Sequence, residues 1–143
     1  MAIRVASALE TEHEKVHALS LSMSLDMEDF RISDFLTAKQ GGNIIGFGRL
    51  RTYPGFREVA SVGVLAENRG KGIGSLVVNE LIRQTREEIY LTCVIPGFFS
   101  KLGFEKVKDF PSELIPKYDF CRSFGYSEEE VTVMKYKRSH GAG

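Results

Sequence analysis

The stretch VGVLAENRGKGIGSLV, residues 62–77, decides the fold because it reads as a strand, a glycine-rich turn and a helix in immediate succession. Val62 and Val64 favour a strand, and the NRGKG segment, residues 68–72, is typical turn chemistry. Apolar residues then recur at helical spacing, which predicts a helix with one buried stripe. A helix N-terminus presents unpaired N–H groups, and glycines leave them uncovered. The turn is therefore predicted to hold a phosphate or pyrophosphate.

The predicted anion site extends from the turn into the first turn of the helix. Two of its side chains add positive charge, and its three glycines keep the backbone accessible. The nucleotide P-loop pattern is not met, because Gly72 rather than serine or threonine follows Lys71. The dinucleotide fingerprint is only half met, because Val77 stands where its third glycine belongs. The site residues are Arg69, Gly70, Lys71, Gly72, Ile73, Gly74 and Ser75.

The pattern Arg69-x-x-Gly72-x-Gly74 after an apolar strand resembles the acetyl-CoA pyrophosphate loop of the GNAT N-acetyltransferase superfamily. A second block, LTCVIPGFFSKLGF at residues 91–104, looks like the next strand, short helix and leucine-glycine-phenylalanine ending of that family. Within the superfamily, residues 58–64, and residues 91–93 followed by Phe98 and Phe99, are most similar to the acetyltransferase domain of N-acetylglutamate synthase. The resemblance implies an enzyme that moves an acetyl group from acetyl-CoA to a primary amine of a small molecule or amino acid. The amine would attack directly in a ternary complex, with acetyl-CoA as co-substrate and no metal.

The order of strand and helix patterns along the chain matches that family. We expect a mixed α/β (α+β) fold of about seven mostly antiparallel strands, with a parallel, splayed central pair and helices on both faces. Residues 1–138 would form a single acetyltransferase domain and residues 139–143 a flexible tail. A short second helix is expected near residues 26–30. The predicted strands are residues 3–6, 35–38, 44–51, 58–64, 89–94, 104–107 and 131–136.

The resemblance also assigns roles around the thioester. Glu58 matches the general-base glutamate of the histone-acetyltransferase branch. The alternative is an exposed carboxylate at the strand end, paired with Arg57 or Arg51. The N–H of Val62 would stabilise the negative charge that develops on the thioester carbonyl. The pantetheine arm would follow Val62, Gly63 and Val64, and the second block would add Thr92, Phe98 and Phe99 to the cofactor site.

Two further side-chain positions bear on the chemistry. Arg49 or Arg51 could hold a carboxylate of the acceptor through bidentate hydrogen bonds. Phe99 stands where many relatives have the tyrosine that protonates the leaving thiolate. Water, Ser100 or Tyr118 would then have to supply that proton. The sequence assigns no role to Cys121.

A competing pattern lies in the first predicted helix, where His13, Glu14 and His17 fit the H-E-x-x-H signature of zinc hydrolases. A catalytic zinc site needs a third protein ligand, for which His140, Asp26 and Glu28 are the candidates. The alternatives to an acetyltransferase are therefore a zinc hydrolase and a non-catalytic acyl-CoA sensor on the same fold.

Composition excludes several other classes of function. The formal net charge is zero, so no general basic field favours nucleic acid or an anionic membrane. No apolar run approaches the length of a membrane span. Two cysteines make no disulfide framework, which favours a cytoplasmic location. A homodimer is left open.

Overall fold

The computed structural model describes residues 2–138, which form two compact units. The first unit ends at Glu87 and the second begins at Glu88. The predicted tail, residues 139–143, lies outside the described residues, and the prediction of a single domain over residues 1–138 stays a prediction.

The first unit is a four-stranded sheet with two helices. The strands follow the order β1-β2-β3-β4, and each pair of neighbours is antiparallel. Tight turns join β2 to β3 and β3 to β4, as the Gly-Gly and Pro-Gly sequences predict. The elements are β1 (Ile3–Ser7), α1 (His13–Ser22), β2 (Phe35–Gln40), β3 (Asn43–Tyr53), β4 (Phe56–Val64) and α2 (Ile73–Arg83).

The two helices cover opposite faces of this sheet. Successive side chains of β3 point to opposite sides, so β3 contacts both helices. On one face, Val16 of α1 packs into a buried cluster with Phe35 and Phe47. On the other face, α2 approaches the backbone of β3 so closely that a Cβ at Gly46 would lie 2.7 Å from Cγ2 of Ile73. Glycine is therefore required at that position for α2 to reach the sheet.

The second unit is a three-stranded antiparallel sheet with two helices. Its central strand is β7, which pairs with both β5 and β6. Pro96 occupies the first turn of α3, where its missing N–H costs nothing. The elements are β5 (Glu88–Cys93), α3 (Pro96–Ser100), β6 (Phe104–Lys106), α4 (Ile115–Arg122) and β7 (Thr132–Tyr136).

The predicted fold class is confirmed, with helices and with seven mostly antiparallel strands in their predicted order. The helix predicted near residues 26–30 is wrong. Ser24 and Asp29 have positive φ angles of 56° and 48°, and the carboxylate of Asp26 accepts a hydrogen bond from the N–H of Glu28. This side-chain bond stabilises a turn in place of a helix. Helix α4 was not predicted, since its second residue is Pro116 and its apolar residues show weak periodicity.

Candidate active site

The glycine-rich turn after β4 has an exposed backbone. Gly70 and Gly72 have φ angles of +79° and +78°, a conformation that other residues adopt at a cost. A Cβ placed on either glycine would have no neighbour within 4 Å, so the space beside the turn is open. Arg69 is anchored to the end of β4, because its Nε donates a 3.2 Å hydrogen bond to the carbonyl of Val64. Lys71 is exposed to solvent.

Helix α2 begins directly at this turn, with Gly72 as its N-cap residue. The N–H of Leu76 donates to the carbonyl of Gly72 at 3.1 Å, which is the first bond of the helix. The N–H groups of residues 73–75 precede that bond and have no acceptor within the helix. Ile73 is 2% exposed and fixes this end of α2 against the sheet. The predicted anion site is thus a helix start that Ile73 anchors on the sheet and that can be approached from open space.

Strand β4 carries a β-bulge between the turn and Glu58. Phe47 lies opposite Gly63 and Arg49 opposite Ala60, so two residues of β4, Ser61 and Val62, face the single residue Gly48. Ser61 has a φ of 52°, a left-handed conformation within a strand. A bulge of this kind bends its strand and increases the local twist. Val62, the predicted oxyanion donor, is therefore the second residue of the bulge.

A buried cluster of charged side chains lies on the face of the sheet that α1 covers. It involves Asp26, Arg49, Arg51 and Glu58, which are all buried, and Arg49 and Glu58 are 0% exposed. Arg51 and Glu58 are directly opposite each other on β3 and β4. Two carboxylates and two guanidinium groups balance one another, as buried charges must.

Arg49 is committed to internal hydrogen bonds. Its Nε donates to Oγ of Ser61 at 3.0 Å, and its Nη2 and Nη1 donate to the carbonyls of Asp26 and Asp29 at 3.0 and 3.2 Å. Burial and the neighbouring charge of Arg51 lower the pKa of Arg49, while Asp26 and Glu58 oppose that shift. Arg49 therefore anchors the loop after α1 to the sheet.

Arg51 and Glu58 form the second half of the cluster. Nη1 of Arg51 lies 3.5 Å from Oε1 of Glu58 and 3.7 Å from Oδ2 of Asp26. The hydroxyl of Tyr53 donates to the same oxygen of Glu58 at 3.2 Å. Burial raises the pKa of Tyr53, and the charge of Glu58 raises it further, so Tyr53 remains a donor. The alternative partner, Arg57, instead pairs with Glu87 at 2.6 Å.

Three residues of the cluster were not predicted from the sequence to belong to the site: Ser61, Tyr53 and Asp26. Asp26 was considered only as a candidate zinc ligand. One available signal was the alternation of Arg49, Arg51 and Tyr53 along β3, which places all three on one face of the sheet. No local pattern pointed to Asp26, because its partners are 23 and 25 residues away in the chain.

The second unit contains the other predicted cofactor residues. Thr92 on β5 is 9% exposed, and its Oγ1 has no hydrogen-bond partner among residues 2–138. Phe99 on α3 is 7% exposed and packs edge-to-face on Phe98 and Phe104, with ring centroids 4.9 and 5.9 Å away. Burial raises the pKa of the Cys93 thiol to about 11, so Cys93 behaves as a small core residue and stays protonated at neutral pH.

The histidines of the competing pattern serve in packing. His13 and His17 stack with ring centroids 5.9 Å apart, and both contact the edge or face of Phe30. Within residues 2–138, no three His, Cys, Asp or Glu side chains are placed to hold a metal ion. His140, one candidate third ligand, lies outside the described residues.

Comparison with known proteins places this arrangement in a family. Residues 4–104 match the sequence profile of the acetyltransferase (GNAT) family. A curated relative from Chlorobaculum tepidum, the uncharacterized N-acetyltransferase CT2212, is 30% identical over 118 residues, which cover 76% of each chain. The chain belongs to the GNAT acetyltransferase family.

Solved structures agree with the GNAT fold. N-acetylglutamate synthase from Neisseria gonorrhoeae, complexed with coenzyme A and N-acetyl-glutamate, superposes with a TM-score of 0.76 at 18% identity. The match covers 95% of this chain but 35% of that enzyme. Naa50 from Arabidopsis thaliana, complexed with the bisubstrate analogue CoA-Ac-MVNAL, gives a TM-score of 0.68 at 19% identity, over 96% of this chain and 100% of that one. The sequence prediction of a GNAT fold is confirmed.

The lengths and polarity of the helices bear on whether the chain could cross a membrane. Across residues 2–138, every helix is too short or too polar to cross a bilayer. The predicted cytoplasmic location and the homodimer stay predictions.

Proposed function

We propose that this GNAT protein transfers an acetyl group from acetyl-CoA to the primary amine of a small molecule or amino acid. The observation that carries the proposal is the open turn before α2, where two positive-φ glycines leave the first N–H groups of the helix uncovered. An anion bound there gains the hydrogen bonds and the partial positive charge of the helix start. The coenzyme A in the Neisseria gonorrhoeae complex and the coenzyme A part of the Naa50 bisubstrate analogue each carry such an anion, a diphosphate.

The chemical step is a direct transfer. The lone pair of a neutral acceptor amine attacks the thioester carbonyl carbon, the carbon–sulfur bond breaks, and the electron pair leaves with sulfur as a thiolate. The N–H of Val62 would stabilise the oxyanion that forms on the way. A lysine-like amine has a pKa of about 10, so the ammonium must lose one proton before attack and the nitrogen another after it.

Glu58 is the proposed general base. It would accept a proton of the amine directly or through one water molecule. Of the two protons that the nitrogen loses, one ends on the thiolate and the other passes to solvent. The support is its position in the cluster, where Arg51 and Tyr53 both interact with Oε1 and hold the carboxylate in place. Because Glu58 is 0% exposed, the acceptor or a water must enter the cluster for this step.

Arg51 is the proposed contact for an acceptor carboxylate. Its distances of 3.5 and 3.7 Å to Glu58 and Asp26 are longer than good hydrogen bonds, so N–H donors remain for a ligand. Arg49, the other candidate, spends its Nε and both terminal nitrogens on internal acceptors. Among the proposed cofactor contacts, Thr92 brings a buried hydroxyl that a ligand could satisfy.

The test is release of free coenzyme A thiol from acetyl-CoA over a panel of amines. We expect turnover with at least one amino acid or small primary amine, and an N-acetylated product by mass spectrometry. A panel that includes peptides with free N-termini covers the acceptor class of the Naa50 complex. Turnover with peptides alone would show that the acceptor is a peptide N-terminus and not a small molecule.

One observation favours a second candidate, a non-catalytic acyl-CoA sensor. Phe99 is buried against other phenylalanines and offers no proton to a leaving thiolate. A protein that binds acetyl-CoA by calorimetry yet releases no thiol with any amine would be that sensor. A protein that binds no acetyl-CoA at millimolar concentration would contradict both candidates.

A further inference from the structure

Three residues other than glycine have positive φ angles among residues 2–138, and all three belong to one small region. Ser24 and Asp29 lie in the loop after α1, and Ser61 is the first residue of the β4 bulge. Strained backbone of this kind persists only where the surroundings hold it, and it concentrates at functional sites. Side-chain contacts must therefore hold the loop after α1 and the β4 bulge in place.

Arg49 joins the two strained segments. Its Nε donates to the hydroxyl of Ser61, and its terminal nitrogens donate to the carbonyls of Asp26 and Asp29. The hydroxyl of Ser61 in turn donates to the carbonyl of Asp26 at 3.0 Å. The contacts around Ser61 are buried and span 12 to 35 residues of sequence. They make a closed triangle of Arg49, Ser61 and Asp26.

This triangle controls the backbone next to the proposed oxyanion donor. The N–H of Val62 belongs to the peptide that follows Ser61, so the backbone angles of Ser61 set the direction of that N–H. Without its hydroxyl bonds, Ser61 would relax toward the extended conformation that a non-glycine residue in a strand prefers. The peptide and its N–H would then turn away from their present direction.

We propose that Arg49 is a positioning residue for acetyl transfer, which holds Ser61 in its left-handed conformation and thereby aims the N–H of Val62. This inference rests on the proposed function of the Val62 amide. Arg49 touches neither cofactor nor acceptor in this role, in contrast to the carboxylate clamp predicted from the sequence. Its effect on the reaction passes through Ser61.

The test compares Arg49→Met, Arg49→Lys, Ser61→Ala and the double variant Arg49→Met/Ser61→Ala. We expect Arg49→Met and Ser61→Ala each to lower kcat about 10- to 100-fold while the KM for acetyl-CoA changes by less than about threefold, because a misdirected donor affects the transition state. Arg49→Lys should recover part of kcat. The two losses should not add in the double variant, since both break the same triangle.

Arg83→Met is the matched control, because Arg83 lies in an exposed pair with Glu80 on α2. It should leave kcat unchanged. Assays are run well below the melting temperature of each variant, so that unfolding does not mimic a loss of kcat. A folded Arg49→Met with wild-type kcat, or losses that add fully in the double variant, would overturn the proposal.

A readout that needs no turnover separates this inference from the proposed function. Amide hydrogen exchange should rise in β4 around Ser61 and at residues 26–29 in Arg49→Met and not in Arg83→Met. If the wild type releases no thiol with any amine, the transfer proposal fails and the effect of Arg49 on that transfer fails with it. Exchange that stays unchanged in an active protein sinks the positioning role alone.

Discussion

The two ends of β4 differ in how they prepare for a ligand. The turn after β4 is exposed, and its features are backbone features: two positive-φ glycines and a helix start. The cluster around Glu58 is buried, and its features are side chains that satisfy one another across β3, β4 and the loop after α1. The turn needs an anionic ligand to balance its partial positive charge, whereas the charges of the buried cluster already balance one another. Binding and chemistry are thus expected to respond to different substitutions.

The largest expected effect comes from a substitution of Glu58, which should change the reaction rate but not the binding of coenzyme A. Glu58→Gln keeps the shape of the side chain but removes its negative charge, so kcat should fall by about 100- to 10,000-fold at neutral pH, as for loss of a general base. The affinity for coenzyme A, measured by calorimetry, should stay within about threefold. Arg51 loses one of its carboxylates, so the free energy of unfolding should also fall. Unchanged kcat would leave Glu58 a structural partner of Arg51.

The contrast also explains what could be predicted from the sequence. The turn was predictable because glycine spacing, strand pattern and helix pattern are local, and local rules set their geometry. Of the cluster, only the pair of Arg51 with Glu58 was among the expectations. The rest was not predictable, because the bonds of Arg49 reach 12 to 23 residues along the chain. The bulge at Ser61 left no mark in the sequence, since serine is an ordinary strand residue. Glu58 was found through family resemblance, and its partner Tyr53 only in the structure.

The next effect concerns the turn and is tested by Gly72→Ala. A Cβ at Gly72 touches nothing in the protein, so the cost to stability is the positive φ alone, about 1 kcal/mol. The affinity for coenzyme A should fall about tenfold, because the new methyl group narrows the approach to the anion site. Gly55→Ala is the matched control, since Gly55 has a φ of +84° and an equally open surrounding in the turn between β3 and β4.

The two glycine variants should therefore lose similar stability in urea unfolding and differ in ligand binding. If both variants bind coenzyme A as tightly as the wild type does, the diphosphate does not bind at this turn. A loss in both would point to a general change in the sheet.

A smaller effect is expected inside the cluster from Tyr53→Phe. The variant removes the hydroxyl donor of Glu58 and keeps the ring that stacks on Phe56, so it should lose about 1.5 kcal/mol of unfolding free energy at pH 8. The pKa of Tyr53 is raised in the folded protein, so its contribution is complete below the unfolded pKa of about 10 and is lost as the pH rises beyond it. The stability gap between wild type and variant should narrow between pH 10 and 12. A gap that is constant with pH would mean that Tyr53 does not donate to Glu58.

The smallest effect is expected from an exposed charge of the turn. Lys71→Met removes a solvent-exposed positive charge, which contributes only about 0.5 kcal/mol to holding an anion, or roughly a twofold weaker affinity for coenzyme A at low salt. Because exposed charges are screened, the difference from wild type should vanish near 0.5 M salt, where the Debye length is only about 4 Å. Arg83→Met, which removes an exposed charge at the opposite end of α2, is the control and should change the affinity at neither salt concentration. A tenfold loss that survives high salt would show that Lys71 contacts the diphosphate directly, and the turn would then depend on side chains as much as the buried cluster does.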